Sequence, residues 1–182
     1  MTPTFLTGLL GSIILVCGAA YPDHPTSHPT HSLKNWLLAV GGFLMLVYSW
    51  LGWREGGLIF FLILELFINL SSILMMADTP DRFDASVLSL GALVFIGWSL
   101  SLFEGYQTVI FILGLAGIAI GYAMKIGTFR REVLLASGSA LVAAFSYLSA
   151  NWIFFWLNLF FALFSGYWMW KLTAQKPKAA IA

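Results

Sequence analysis

An all-α membrane protein of seven transmembrane helices is the fold this chain predicts, and three observations predict it. Hydrophobic residues fill 60% of the 182 positions and charged ones 9%, with a mean hydropathy of +0.89, far outside the soluble globular range. Apolar stretches run at 4–21, 36–53, 57–77, 85–103, 107–124, 133–150 and 152–171, each near the ~20 residues that cross a bilayer core as a helix. Threading the chain alternately through them puts Lys34, Arg82, Lys125, Arg130, Arg131, Lys171, Lys176 and Lys178 on one face and only Arg54 on the other. That eight-to-one division is a strong positive-inside signal. Removing any interior span would scatter the cations over both faces, so charge supports the count of seven independently of hydropathy. The N-terminus is expected outside and the C-terminus in the cytoplasm, and the short loops suit a bacterial inner membrane.

The first stretch, 4–21, reads as a retained span, because no basic segment precedes it and Tyr21-Pro22-Asp23 is not a small-residue cleavage site. Its Cys17, the sole cysteine, excludes an internal disulfide or a CxxC metal site and suits small apolar packing. The loop after it, Tyr21 to Asn35, has too few residues for a core of its own. His24, His28 and His31 lie in it, but Pro25 and Pro29 impose extended or turn geometry and Asp23 is the only neighbouring acid. A solvated cytoplasmic loop is the expectation there, without a metal. Pro80 ends the third span, and Asp78, Asp81, Arg82 and Asp84 form a polar turn whose acids suit the start of the fourth.

Spans two and six are alike. Sliding by 97 matches Leu37, Leu38, Ala39, Gly41, Leu44, Ser49 and Leu51 with Leu134, Leu135, Ala136, Gly138, Leu141, Ser146 and Leu148, seven identities in fifteen positions. Spans three and seven continue the match, with Leu64-Glu65-Leu66-Phe67 against Leu157-Asn158-Leu159-Phe160. A register one residue away instead aligns Ile59-Phe60-Phe61 with Ile153-Phe154-Phe155. Spans one and five share glycine faces: Gly8, Gly11 and Gly18 in one, Gly114, Gly117 and Gly121 in the other. The organisation is therefore 3+1+3: a three-helix repeat in 1–77, a linker helix and its loops in 78–106, a second three-helix repeat in 107–172 and a cytoplasmic tail at 173–182. A single-span linker makes the repeats parallel, related by an axis along the membrane normal, and substrate sites of such proteins lie where the halves meet.

Glu65 is the most informative residue. It lies about eight residues, roughly 12 Å, below the outer end of its span, where an ionisable side chain costs about 2.5–3.5 kcal/mol and marks a functional site by default. Asn69 and Ser72 follow on the same stripe; Asn158 and Ser165 keep equivalent places in span seven. Two polar stripes facing one another would line a small hydrophilic cavity, and a carboxyl there would permit proton coupling. The alternative is that these groups are interhelical glue worth about 1 kcal/mol each. Tyr48, Trp50, Tyr147 and Trp156 lie deeper than the interfacial tryptophans Trp36, Trp53, Trp152, Trp168 and Trp170, and offer flat walls for a ring-shaped solute or apolar packing. No nucleophile–base pair or HExxH helix is present, so an enzyme, a cofactor and a metal are not expected. A net charge of +1 without a basic groove argues against nucleic acid.

The 3+1+3 plan, the N-out and C-in orientation, the small size and an Asn in the third helix of each triplet resemble the SWEET sugar-transporter superfamily, which includes PnuC-type carriers of vitamin precursors. The resemblance covers about 4–172 and is architectural. It implies a substrate site between the triplets, with Asn69 and Asn158 on the helices that supply the family's substrate-binding Asn. No proline lies inside any span; either glycines replace the family's proline hinges or the scaffold moves differently. The function expected is that of a facilitator or secondary carrier for a small polar solute, neutral or monocationic, embedded in the lipid bilayer. The rival readings are a non-transporting structural subunit of a larger membrane complex and a proton or cation channel centred on Glu65; as partners, a homo-oligomer and a larger membrane complex both stay open.

Overall fold

The computed structural model describes residues 2–21, 28–125 and 127–174. Seven α-helices make up the described chain, with no strand among the described residues: α1 Pro3–Ala20, α2 Leu33–Arg54, α3 Ile59–Ala77, α4 Asp81–Ser101, α5 Tyr106–Ala123, α6 Phe129–Leu148 and α7 Trp152–Ala174. Six of them are long and apolar enough to cross a membrane, as in a polytopic integral membrane protein. The remaining one, α6, opens on Arg130-Arg131-Glu132 and carries Ser137, Gly138 and Ser139 at its middle, which lowers its hydropathy without shortening it.

Several helices begin earlier than their apolar stretches, and polar capping is the reason. The Ser32 hydroxyl accepts the Asn35 amide at the start of α2, and Thr128 does the same for Arg131 at the start of α6. Asp81 and Asp84 occupy the first turn of α4, where acids complement the exposed amides; the Thr79 hydroxyl bonds Asp84. Asp78 takes a left-handed conformation, φ 52°, to stop α3, a backbone state that Asp tolerates better than most residues.

Consecutive helices pack side by side, and α7 returns to contact α1, so the chain closes on itself in sequence order. The middle of the bundle belongs to α3. It touches α2, α4 and α5, and its phenylalanines reach Phe145 on α6 and Phe154 on α7. The alternation of directions is visible at both ends. His28 lies 3.8 Å from Asp78 at one end; at the other, Thr4 donates to Glu55 at 2.6 Å and Tyr48 donates to Asn151 at 3.2 Å. Lys34, Arg82, Lys125, Arg130, Arg131 and Lys171 all belong to helix ends or loops on the His28–Asp78 side, with Arg54 on the other. Lys176, Lys178 and His24 lie outside the described residues, and Cys17 is exposed on α1.

Two helix pairs approach through glycine. A Cβ on Gly41 would stand 2.8 Å from Leu15 and 3.1 Å from the Gly11 carbonyl, joining α2 to α1. A Cβ on Gly138 would stand 2.7 Å from the Ile118 amide and 2.8 Å from the Gly114 carbonyl, joining α6 to α5. Backbone lies against backbone at both places, the means by which helices gain dispersion contact in lipid. Gly138→Ala should therefore force α6 off α5 and lower stability by about 1–3 kcal/mol, read as a fall in the unfolding temperature in detergent. Gly97→Ala, with nothing near its added methyl, should leave that temperature unchanged or raise it; equal effects would show that the contact at Gly138 is not limiting.

Candidate functional site

Glu65 occupies the core of the bundle. It sits about 9 Å along the axis from the start of α3, nearer that end than the apolar stretch implied, because α3 begins at Ile59. Its side chain is 2% exposed, and Oε2 is buried without a hydrogen-bond partner among the described residues. No Lys, Arg or His of the described residues lies within ion-pair distance of it. A charged carboxylate in such a setting would be severely under-solvated. Among the described residues Glu65 Oε2 shares its unpartnered state with Arg131 Nε and Ser149 Oγ.

One turn before Glu65 on α3 is Phe61, and one turn before Asn158 on α7 is Phe154. These two rings stack, with centroids 4.4 Å apart and planes at 15°. Phe60, Phe111 and Phe145 extend the stack into a five-ring cluster, at centroid distances of 5.1 Å for Phe60–Phe111, 5.1 Å for Phe111–Phe145 and 5.4 Å for Phe61–Phe145. Every ring of the cluster is buried. Glu65 and Asn158, also buried, thus each lie one helical turn beyond the stacked pair.

The other predicted residues divide between interior and surface. Asn69 is half-buried and has spent its amide on the backbone, donating to the Gly42 carbonyl on α2 at 3.0 Å and to the Glu65 carbonyl at 2.8 Å. Asn158 donates to the Phe154 carbonyl at 2.9 Å. These bonds tie the amide N–H groups to the scaffold and leave the Oδ1 atoms as acceptors. Ser72 and Ser165 are half-buried. Tyr48 is half-buried beside Phe154 and bonded to Asn151. Trp50, Tyr147 and Trp156 are about half exposed, at 48%, 58% and 53%, and line neither cleft described below. Tyr147 meets Trp152 and Phe155, and Trp156 meets Phe155 and Phe160, forming an aromatic surface of the kind that faces the membrane interface.

Two clefts open at the Glu55 end. The larger, about 270 Å³, is lined by Glu104, Gln107, Thr108 and Leu58 and rests on Phe60 and Phe145. The smaller, about 40 Å³, is lined by Tyr48, Ser49 and Asn151 and rests on Phe61 and Phe154. Both share Leu58, and neither contains a cation. The phenylalanine cluster therefore forms the floor of both clefts, with Glu65 one turn past it.

At the opposite end Arg131 and Glu132 form an ion pair of 2.8 Å, with Glu132 buried, and the Arg131 Nε is buried without a hydrogen-bond partner. On α5 the half-buried Tyr122 ring lies 6.4 Å from that of Phe67. Hydropathy alone points to none of the clefts, the five-ring floor, Tyr122 or Glu132. The signal available for the floor was the placing of Phe61 and Phe154 one turn before the two polar residues already singled out.

No family model, curated protein or solved structure matches the chain.

If the cluster is the barrier between the clefts and Glu65, Phe61→Ala should open it. In a Cys17→Ser background with Glu65→Cys as reporter, a water-soluble thiol reagent applied at the Glu104 side should modify Cys at 65 at least about tenfold faster when Phe61 is Ala, for a barrier lowered by about 1.4 kcal/mol. An unchanged rate in a folded triple variant would show that the rings do not bar the way.

Proposed function

We propose that this protein is a small membrane carrier, a facilitator or secondary transporter, that moves a small polar solute between its two helix triplets. The observation that carries this reading is the five-ring phenylalanine cluster, with an unpartnered buried carboxyl one turn beyond its stacked Phe61–Phe154 pair and a cleft of about 270 Å³ resting on its Phe60 and Phe145. A barrier of apolar rings separating a mouth from an interior polar group is what a carrier requires in a closed state.

The parallel-repeat organisation supports this reading through contacts that recur at fixed offsets. Gly11 meets Gly41 where α1 crosses α2, and Gly114 meets Gly138 where α5 crosses α6; Gly41 and Gly138 are 97 positions apart. The buried Ser49 hydroxyl donates to the Met45 carbonyl at 2.8 Å, and the buried Ser146 hydroxyl donates to the Val142 carbonyl at 2.7 Å, again at an offset of 97. Phe61 and Phe154 differ by 93, the register that sets Glu65 against Asn158. Reciprocal contacts of α3 with α5 and of α7 with α1 fit a twofold axis passing near the stacked rings. On this reading the protein follows a SWEET-like 3+1+3 plan, lies in a bacterial inner membrane and has its Glu55 end outside, since the cationic end belongs in the cytoplasm.

The clefts suggest the class of solute. Glu104 is their one carboxylate and Gln107, Thr108 and Asn151 their neutral polar groups. A neutral or singly cationic solute with hydroxyl or amide groups suits them, such as a sugar or a vitamin precursor; an anion does not.

Uptake into proteoliposomes, screened over sugars, nucleosides and vitamin precursors with and without a pH gradient, tests the proposal. Saturable uptake is expected from the unmodified chain, with Glu65→Gln and Asn158→Ala each reducing it at least about tenfold, in keeping with the 2 kcal/mol or so that a buried polar contact commands. Solute-independent proton or cation flux would instead favour a channel centred on Glu65. No flux from folded protein would leave a non-transporting subunit as the better reading.

A further inference from the structure

The turns at the cationic end do not share their charge evenly. Where α3 gives way to α4, the acids Asp78, Asp81 and Asp84 outnumber the single base Arg82; where α5 gives way to α6, the bases Lys125, Arg130 and Arg131 outnumber the single acid Glu132. The general preference of cations for this side of a membrane accounts for their presence here. It does not account for their collection on one turn while the acids collect on another.

Hydrogen bonds hold the α5–α6 turn together. The Thr128 hydroxyl donates to the Lys125 carbonyl at 2.9 Å and accepts the Arg131 amide at 3.4 Å, so the backbones that carry the first and last of these cations are tied to one side chain. Lys125 and Arg130 are exposed. Arg131 is 18% exposed; one of its terminal nitrogens meets Glu132 at 2.8 Å, and its Nε has no hydrogen-bond partner among the described residues. With five N–H donors in a fixed fork, this guanidinium has capacity left for a second anion. The helix itself gains nothing from the arrangement. Arg130 and Arg131 stand in the first turn of α6, where free amides already concentrate positive charge and an acid is the stabilising residue, and only Glu132 offsets them there.

We propose that the α5–α6 turn binds the phosphate of an anionic phospholipid in the leaflet at the cationic end, through Lys125, Arg130 and Arg131. Basic clusters beside a membrane-spanning helix attract such headgroups, and a planar guanidinium matches phosphate geometry. The apolar surface next to the turn commits the site to a lipid. Phe129 and Val133, in the first two turns of α6, are 40% and 38% exposed, and they give the acyl chain a wall directly below the headgroup. The inference goes beyond the carrier reading, since it requires only that the helices cross a membrane.

Native mass spectrometry of the protein released from detergent that contains phosphatidylglycerol and phosphatidylcholine in equal amounts tests this by showing which lipid stays bound. The unmodified chain should retain phosphatidylglycerol over phosphatidylcholine by about tenfold, and Lys125→Gln combined with Arg130→Gln should reduce that preference to about twofold or less, as the loss of two basic contacts implies. Both positions are exposed and the Arg131–Glu132 pair is left intact, so circular dichroism should show unchanged helix content. Lys34→Gln combined with Arg82→Gln removes the same charge from the same end and should leave the preference as it is in the unmodified chain. Equal retention of the two lipids by the unmodified chain, or the same loss in the Lys34 and Arg82 variant, would overturn the proposal. Release of the bound lipid by inorganic phosphate would overturn it as well, by assigning the cations to a soluble anion.

Discussion

Lipid tails solvate apolar side chains as well as other apolar side chains do, so this bundle depends on how closely its backbones can approach. Packing and hydrogen bonding must supply what hydrophobic burial supplies in water. Gly41 on Gly11 and Gly138 on Gly114 provide that approach, with carbonyl oxygens of one helix about 3 Å from where the other's Cβ would be. Once α1–α2 and α5–α6 are joined so tightly, the remaining volume between the pairs is left to α3 and α7. The large side chains of the protein, Phe60, Phe61, Phe67, Phe111, Phe145 and Phe154, fill it.

The central position of α3 explains the state of Glu65. From Phe60 to Phe67 nearly every α3 side chain is buried, so this stretch has no open side on which to turn a polar residue outward, and Glu65 is too far from either end to reach water by extending its side chain. Asn69, one turn on, satisfies itself by bonding two backbone carbonyls. Glu65 has no such solution for Oε2. A group left unsatisfied in a core otherwise packed with aromatic rings is a cost to folding. The same reasoning applies to Arg131 Nε near the cationic end, where a guanidinium held half-buried against Glu132 is not needed for solubility.

Much of the architecture was legible in the residues. Seven helices follow from the apolar stretches and from the division of Lys and Arg, since the bilayer permits few ways of hiding backbone amides. Boundaries were less legible, because Ser32, Asp81 and Thr128 begin helices with polar residues that an apolar window excludes. Glu65 was legible for the reason that makes it costly: a carboxyl amid Leu and Phe stands out in any reading of hydropathy. Trp50, Tyr147 and Trp156 were not, since an aromatic near mid-span has the same identity whether it faces the interior or the lipid, and all three are about half exposed.

By itself, then, the sequence determined the class of protein, the number of helices, which ends share a face and which interior residue is ionisable. These depend on composition and on one-dimensional order, which the membrane reads segment by segment. Only the tertiary structure decided that α3 is central, that Phe61 stacks on Phe154, that the clefts end on phenylalanine and that Glu65 Oε2 and Arg131 Nε are buried without partners among the described residues. Those facts depend on how each helix is rotated about its axis. Rotation is set by the fit of side chains on neighbouring helices, and hydropathy has little to say about it when nearly every face of a helix is apolar.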